Sequence, residues 1–214
     1  MEHVEQNSLG GTESSFILND EDHARSATYA ILASLLSHTP NQDTLDYLRH
    51  INSEAMDDDS ETGILGQAWQ SLKSAAEKIS HSQLDDEYHD LFIGLGRGQV
   101  VPFASWHMTG FLMDKPLSDL RDDLKALGIE SDGDQKDPED HIAALCETMS
   151  ILIQSEDVDE SWERRFFIRH LQPWAKRFFS QLRSATSANF YQSVGFLGEH
   201  FMELESYYLN IKEH

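Results

Sequence analysis

Two short stretches hold most of the residues whose types and spacing suggest chemistry. The first, EYHDLFIGLGRGQVVPFASWH, runs from residue 87 to residue 107 and sets Tyr88, Leu91, Phe92, Phe103 and Trp106 around Gly94, Gly96 and Gly98. Glycine lets another backbone come close and aromatic side chains supply broad apolar walls, so this pattern offers a peptide-binding groove. The same residues also fit a plainer assignment, with the aromatics in a core and the glycines at helix ends. GLGRG has the look of a phosphate loop. Such loops follow a strand and carry a Lys at a fixed place, whereas this one follows a helical pattern and holds only Arg97. A nucleotide-binding switch or enzyme acting through the Gly94–Gly98 loop is the alternative reading. Pro102 and Ser105 close the stretch, Ser105 as the expected cap of a new helix.

The second stretch is DPEDH, residues 137 to 141. Asp137 suits an N-cap, Pro138 the first helical position, and Asp140 the third, where a carboxylate answers the helix dipole. Capping does not require His141. A carboxylate beside an imidazole at a helix start is suited to hold a guanidinium through paired hydrogen bonds. Other candidates are thinner. Glu199-His200-x-x-Glu203 has the residue types of a metal site but no matching motif elsewhere, and reads as a solvated helix face. Cys146, the single cysteine, lies beside Leu145 and Met149 and reads as a buried, inert thiol. One cysteine excludes an internal disulfide and a cysteine-based zinc site. No catalytic residue, metal or required cofactor is expected.

Helices must position these stretches, because apolar residues recur at helical spacing and strict alternation is absent. Asn19 and Asp20 are cap candidates for a helix whose expected buried stripe is Ala24, Ala27, Ile31, Leu32, Leu35 and Leu36, closed by Pro40. Leu45, Leu48 and Ile51 mark a shorter helix, and Ile64, Leu65, Ala68, Trp69, Leu72, Ala76 and Ile79 another. Leu84 to Phe92 continue into the glycines. Leu117, Leu120, Leu124 and Leu127 precede Gly128, a natural residue just past a helix end. Ile142 to Leu152, Trp162 to Leu171, Trp174 to Leu182 and Tyr191 to Tyr208 complete the set. The expectation is an all-α fold: a single globular helical bundle of roughly nine helices over residues 20–214, with residues 1–19 as a mobile tail.

Of 214 residues 39% are hydrophobic, enough for a real core, and the formal net charge is −22. Such a charge repels phosphates, which argues against nucleic acid and anionic membranes and favours a basic partner. Locally, Arg164, Arg165, Arg169, Lys176, Arg177 and Arg183 form a basic exception. No stretch approaches the roughly 18 apolar residues of a membrane span, and the acidic N-terminus lacks the character of a signal peptide. A cytoplasmic protein is expected.

Taken together, Tyr88-x-x-Leu91-Phe92-x-Gly94-x-Gly96, Pro102-x-x-Ser105 and Pro138-Glu139-Asp140-His141 followed by Leu145 and Met149 resemble the TorD/DmsD family of redox-enzyme maturation chaperones, to which the NarJ proteins are related. Residues 110–130 resemble its linking helix, Phe167-x-x-His170-Leu171-x-x-Trp174 its later helices, and the likeness spans about residues 20 to 210. The resemblance implies a cytoplasmic, all-helical chaperone without catalytic activity. Such a chaperone binds the twin-arginine signal peptide, and in some members the body, of a molybdoenzyme subunit, and delays export until cofactor insertion. The client would be a reductase of N- or S-oxides or a formate dehydrogenase; weak guanine-nucleotide binding has been proposed within the family. By position the resemblance assigns peptide binding to Tyr88, Leu91, Phe92, Gly94, Gly96, Pro102, Phe103, Ser105, Trp106, Asp140 and His141. The family commonly has Tyr two places after the Ser, where this chain has His107. A monomer or a dimer swapped through the loop at 130–137 is expected.

Overall fold

The computed structural model describes residues 19–51, 61–94, 98–129, 137–156 and 158–211, and among them the chain is all-α, with ten α-helices and no strand. In order these are α1 (Asp20–Ser37), α2 (Gln42–His50), α3 (Glu61–Lys78), α4 (His81–Tyr88), α5 (Ala104–Thr109), α6 (Lys115–Ala126), α7 (Ile142–Gln154), α8 (Glu160–Phe166), α9 (Ala175–Ser184) and α10 (Phe190–Ile211). Two single π-helical turns, His89–Ile93 and Phe167–Leu171, extend α4 and α8. The expected tail lies outside the described residues except for Asn19, as does the 130–137 loop except for Asp137. No helix among the described residues is long and apolar enough to cross a membrane.

Local sequence explains most helix ends. Asn19 accepts the Asp22 N–H and Asn41 the Thr44 N–H, and Ser80 with Gln83 forms a reciprocal capping box at α4. Gly128 follows α6 with φ +70°, the left-handed conformation that glycine reaches without a Cβ clash. α1 packs on α7, and α10 packs on α3 and α9, around a core that includes the wholly buried Tyr29, Phe166, Trp174, Phe178, Phe179 and Tyr191. α9 and α10 approach so closely that a Cβ on Gly198 would sit 2.2 Å from the Phe179 ring.

Charged side chains tie the bundle together from inside. Arg25 on α1 donates through Nε and a terminal nitrogen to both oxygens of Glu205 (2.6 and 2.8 Å), and also pairs with Glu163 and Asp22. Tyr29 donates to the same Glu205, and the Tyr208 ring lies 4.1 Å from the guanidinium carbon. This network rotates α1 relative to its expected stripe: Arg25, Ser26, Thr28 and Tyr29 are buried, while Ala24 and Ala27 face outward. Sequence periodicity counts arginine as polar, yet three carboxylates make its burial tolerable. The basic cluster is similarly absorbed. Asp123 on α6 accepts from Arg165 (3.0 Å), Arg169 (2.7 Å) and His170 (2.8 Å), Arg183 pairs with Glu199, Lys176 with Glu203, and Arg164 donates to the Leu209 carbonyl.

Candidate functional site

The π-helical turn after α4 decides where the first motif's side chains go. It inserts one extra residue per turn, so Tyr88 and Leu91 fall into the core while Phe92 stays half-buried. Tyr88 donates to the Leu36 carbonyl at the end of α1 (3.2 Å), and its ring lies 4.9 Å from Phe92, which meets Tyr191 edge-on at 5.3 Å. Gly94 ends the turn at φ +40°, and Gly98 returns the chain against it: a Cβ there would lie 2.3 Å from the Leu91 carbonyl oxygen. Gly96 lies outside the described residues. Tyr88 and Leu91 are therefore core groups first, and the aromatic wall expected of Tyr88, Phe92, Phe103 and Trp106 is partly interior.

The two motifs meet, although 35 positions separate Ser105 from Asp140. The Ala104 N–H donates to the Asp140 carbonyl (2.9 Å) and the Ile142 N–H to the Pro102 carbonyl (2.8 Å), with Phe103 and His141 forming an isolated antiparallel bridge. Asp140 Oδ2 accepts both the Ser105 N–H (2.8 Å) and the Ser105 hydroxyl (2.5 Å). Two local expectations are corrected here. Ser105 does not cap its helix; it is the second residue of α5, and Asp140 supplies the cap from across the chain. Asp137 does not start α7 either. The Pro138 carbonyl accepts the His141 N–H in a turn, and α7 begins at Ile142 with His141 as its cap. A helix begun at Pro138 could not turn Asp140 toward α5, and the remote Ser105 wins over the local dipole.

One oxygen of the clasp is left over. Asp140 is 1% exposed, and its Oδ1 is a buried acceptor with no hydrogen-bond partner among the described residues. A buried, unpaired carboxylate oxygen is costly and marks a place where a donor would be welcome. Next to it, His141 accepts the Ala143 N–H at Nδ1 (3.1 Å), which puts its own hydrogen on Nε2. Burial holds this imidazole neutral, lowering its pKa against the pull of the Asp137 and Asp140 charges. His141 thus presents a fixed donor.

His141 lines a cleft of about 460 Å³ between α1 and α7, with Asp137 and Glu147 as its carboxylates and Ser34, Ser37 and Ala144 as small walls. Burial and the charge of Asp137 push the Tyr88 phenol up to about 12. Glu147 and the α1 serines carry no sequence signal, since only the packing of α1 on α7 assembles them. Pro102 is buried; Phe103 is half-buried and meets His141 edge-on at 5.1 Å; Trp106 is half-buried. His107, at the family's Tyr position, is hydrogen-bonded to the Val101 carbonyl and stacks on Trp174 at 5.0 Å, so it faces inward as a packing group.

The chain is similar to known proteins. Residues 57–180 match the nitrate reductase delta subunit family, more than half of the chain. The chain belongs to this family, that of the TorD/DmsD redox-enzyme maturation chaperones. It is 26% identical over 202 residues to the chaperone protein TorD of Vibrio atlanticus (strain LGP32), covering 86% of this chain and 94% of that one. TorD of Aliivibrio salmonicida (strain LFI1238) is 23% identical, with 90% and 97% covered. A protein of Haemophilus influenzae named as a probable Tat proofreading chaperone DmsD is 26% identical over 59% of this chain and 62% of its own. The fold also resembles a crystal structure from Archaeoglobus fulgidus assigned to redox enzyme maturation, at TM-score 0.53 and 15% identity, over 90% of this chain and 99% of that one.

Proposed function

We propose that this protein is a cytoplasmic chaperone that binds the twin-arginine signal peptide of a molybdoenzyme subunit and holds it back from export until the cofactor is inserted and the subunit folded. The observation that carries the reading is the buried, unpaired Oδ1 of Asp140, the residue before His141, which lines a cleft whose charged groups, Asp137 and Glu147, are both carboxylates. A guanidinium answers both features. It brings several fixed N–H donors and a positive charge, and it pairs with carboxylates at two points. The His141 Nε2–H adds a donor suited to a backbone carbonyl of the same peptide. The acidic surface as a whole speeds encounter with a basic segment.

The role follows from the chemistry. A protein that covers the arginine pair keeps it from any other reader of the signal, and releases it without covalent change. The relatives are named as chaperones, and the client classes that the family resemblance implies are an N- or S-oxide reductase and a formate dehydrogenase. Binding the body of the client as well as its signal is part of the proposal. Isothermal calorimetry with a twin-arginine peptide and its twin-lysine counterpart is the test. Arginine should bind tightly and lysine at least several-fold more weakly, because an ammonium cannot form the planar two-point pair. Equal binding of the two, or none of either, defeats the reading. Steady GTP turnover by the same preparation would favour the Gly94–Gly98 switch instead.

A further inference from the structure

The connection from α5 to α6 puts large apolar side chains into water. α5 stops at Gly110, whose N–H donates to the Trp106 carbonyl (2.9 Å) and whose φ of +85° turns the chain out of the helix. α6 starts after Asp114, which caps it by accepting the Lys115 N–H (2.7 Å). Between these fixed ends stand Phe111, Leu112 and Met113, which are 70%, 50% and 71% exposed, with Met108 at 43% just before them. The Thr109 hydroxyl braces the turn by accepting the Phe111 N–H (3.3 Å). Met113 is the one non-glycine residue with a positive φ, +56°, among the described residues. An L side chain adopts that conformation at a cost. A turn that is strained, pinned at both ends and apolar at its tip has the character of an interaction site.

The charges around the tip select its partner. Lys115 pairs with Asp119 (2.6 Å), Asp114 adjoins Lys115, and Arg177 is brought in by its hydrogen bond to the His107 carbonyl at the end of α5. Two cations and two carboxylates cancel here, in a chain with 38 acidic residues against 16 basic ones. A balanced rim has no surplus cation to hold an anionic bilayer and no surplus carboxylate to draw a basic segment. It is a face on which two copies of an acidic chain meet without local repulsion. Both signs on one patch also make it self-complementary: a two-fold axis sets Lys115 and Arg177 of one copy against Asp114 and Asp119 of the other. We propose that the α5–α6 turn is a self-association surface, with Met108, Phe111, Leu112 and Met113 of two copies covering one another. This pairing exchanges no chain segment and goes beyond whatever the cleft binds. Four such side chains bury at most about 1,000 Å² in all, under the roughly 1,200 Å² at which stable interfaces begin, so the dimer is weak and reversible, with a dissociation constant on the order of 100 µM.

The test is sedimentation velocity on the full chain from about 10 µM to about 1 mM. Dimers should form with rising concentration, dissociate promptly on dilution, and strengthen with added salt, because screening weakens the repulsion between two acidic bodies. Phe111→Ser should weaken association about tenfold or more, the loss expected from one large apolar contact. Met113→Gly removes the side chain and the backbone strain together, so it should weaken association while leaving the melting temperature unchanged or higher, which a merely structural residue would not do. Lys115→Glu unbalances the rim and should weaken the dimer, and adding Asp119→Lys to it should restore the dimer. A dimer that survives both Phe111→Ser and Met113→Gly, or that persists long after dilution as exchanged segments would, overturns the proposal. A chain that stays monomeric at about 1 mM overturns it too. Flotation with phosphatidylcholine–phosphatidylglycerol vesicles is the second arm: vesicle binding by a monomeric chain, lost in Phe111→Ser, would give the turn to a bilayer instead.

Discussion

Asp140 joins two jobs that one substitution can separate. Its Oδ2 accepts the Ser105 N–H and hydroxyl at the start of α5, and its Oδ1 has no partner among the described residues. Asn has nearly the same shape and keeps one carbonyl oxygen, which can stay on Ser105 while its amide takes the Oδ1 place. Two charge-assisted hydrogen bonds then become neutral ones, a loss of about 1 kcal/mol each, but a buried charge also disappears, which recovers a comparable amount. The net change in folding stability should stay within about 1 kcal/mol. Ala keeps neither bond. It strands a buried N–H and a buried hydroxyl, each costing about 1–3 kcal/mol, so Asp140→Ala should lose about 2–6 kcal/mol.

Peptide binding should order the variants differently. If Oδ1 accepts a guanidinium N–H, Asn presents a donor to a donor. The lost contact is worth about 1.5–3 kcal/mol, so affinity for the twin-arginine peptide should fall roughly tenfold or more. Urea denaturation read by circular dichroism gives the stabilities, and calorimetry gives the affinities. The expected result is a near-native Asp140→Asn that binds poorly. An Asn variant that binds like the wild type would show that Asp140 only ties α5 to α7. An Asn variant as unstable as Ala would show that the charge itself, not the hydrogen-bonding pattern, holds the clasp.

Two further predictions concern the frame around the site. Gly98→Ala places a Cβ against backbone atoms of Leu91 and Phe92 that cannot swing aside, so the π-helical turn must shift; a loss of about 1–3 kcal/mol in urea denaturation is expected, whereas Gly110→Ala, strained only by its φ of +85°, should cost about 1 kcal/mol. Arg25→Met leaves Glu205 and Glu163 buried without their counter-charge and should cost about 3–5 kcal/mol at neutral pH. Burial already raises the Glu205 carboxyl above its ordinary value; without Arg25 it rises further. The folded variant then binds protons more readily than the unfolded chain, so its deficit should shrink as pH falls toward that raised value, and a deficit constant with pH would refute the assignment.

Much of the architecture is legible in the chain because helical spacing of leucine and aromatic residues is a strong local signal. Asn19, Gly128 and the Leu117–Leu127 repeat all behave as their neighbours in sequence imply. What escapes is whatever depends on a remote partner. Arg25 looks like a surface residue until Glu205 and Glu163 are brought beside it, and Ala24 and Ala27 look like core until that burial turns α1 over. Asp140 looks like a first-turn carboxylate answering the helix dipole until Ser105 claims it. The motif residues Pro102, Ser105, Asp140 and His141 are drawn together by the fold, whereas Tyr88 and Leu91 serve the core.

The clasp also explains why those motif residues need not touch a ligand to matter. His141 caps α7 with Nδ1, and that same bond fixes the hydrogen on Nε2. Ser105 saturates one oxygen of Asp140, and that same bond leaves the other unpaired and held still. Each residue satisfies the backbone on one side and offers a single, oriented polar atom on the other. On the proposed function, a site built this way would lose little rotamer entropy on binding a peptide, since the fold has already restrained these groups. The other two carboxylates, Asp137 and Glu147, line the cleft and are exposed, where long-range attraction counts most and exact placement least. Charge at the rim for encounter and fixed hydrogen-bonding atoms within for recognition is the division of labour that a receptor for a short, basic, transiently bound segment requires.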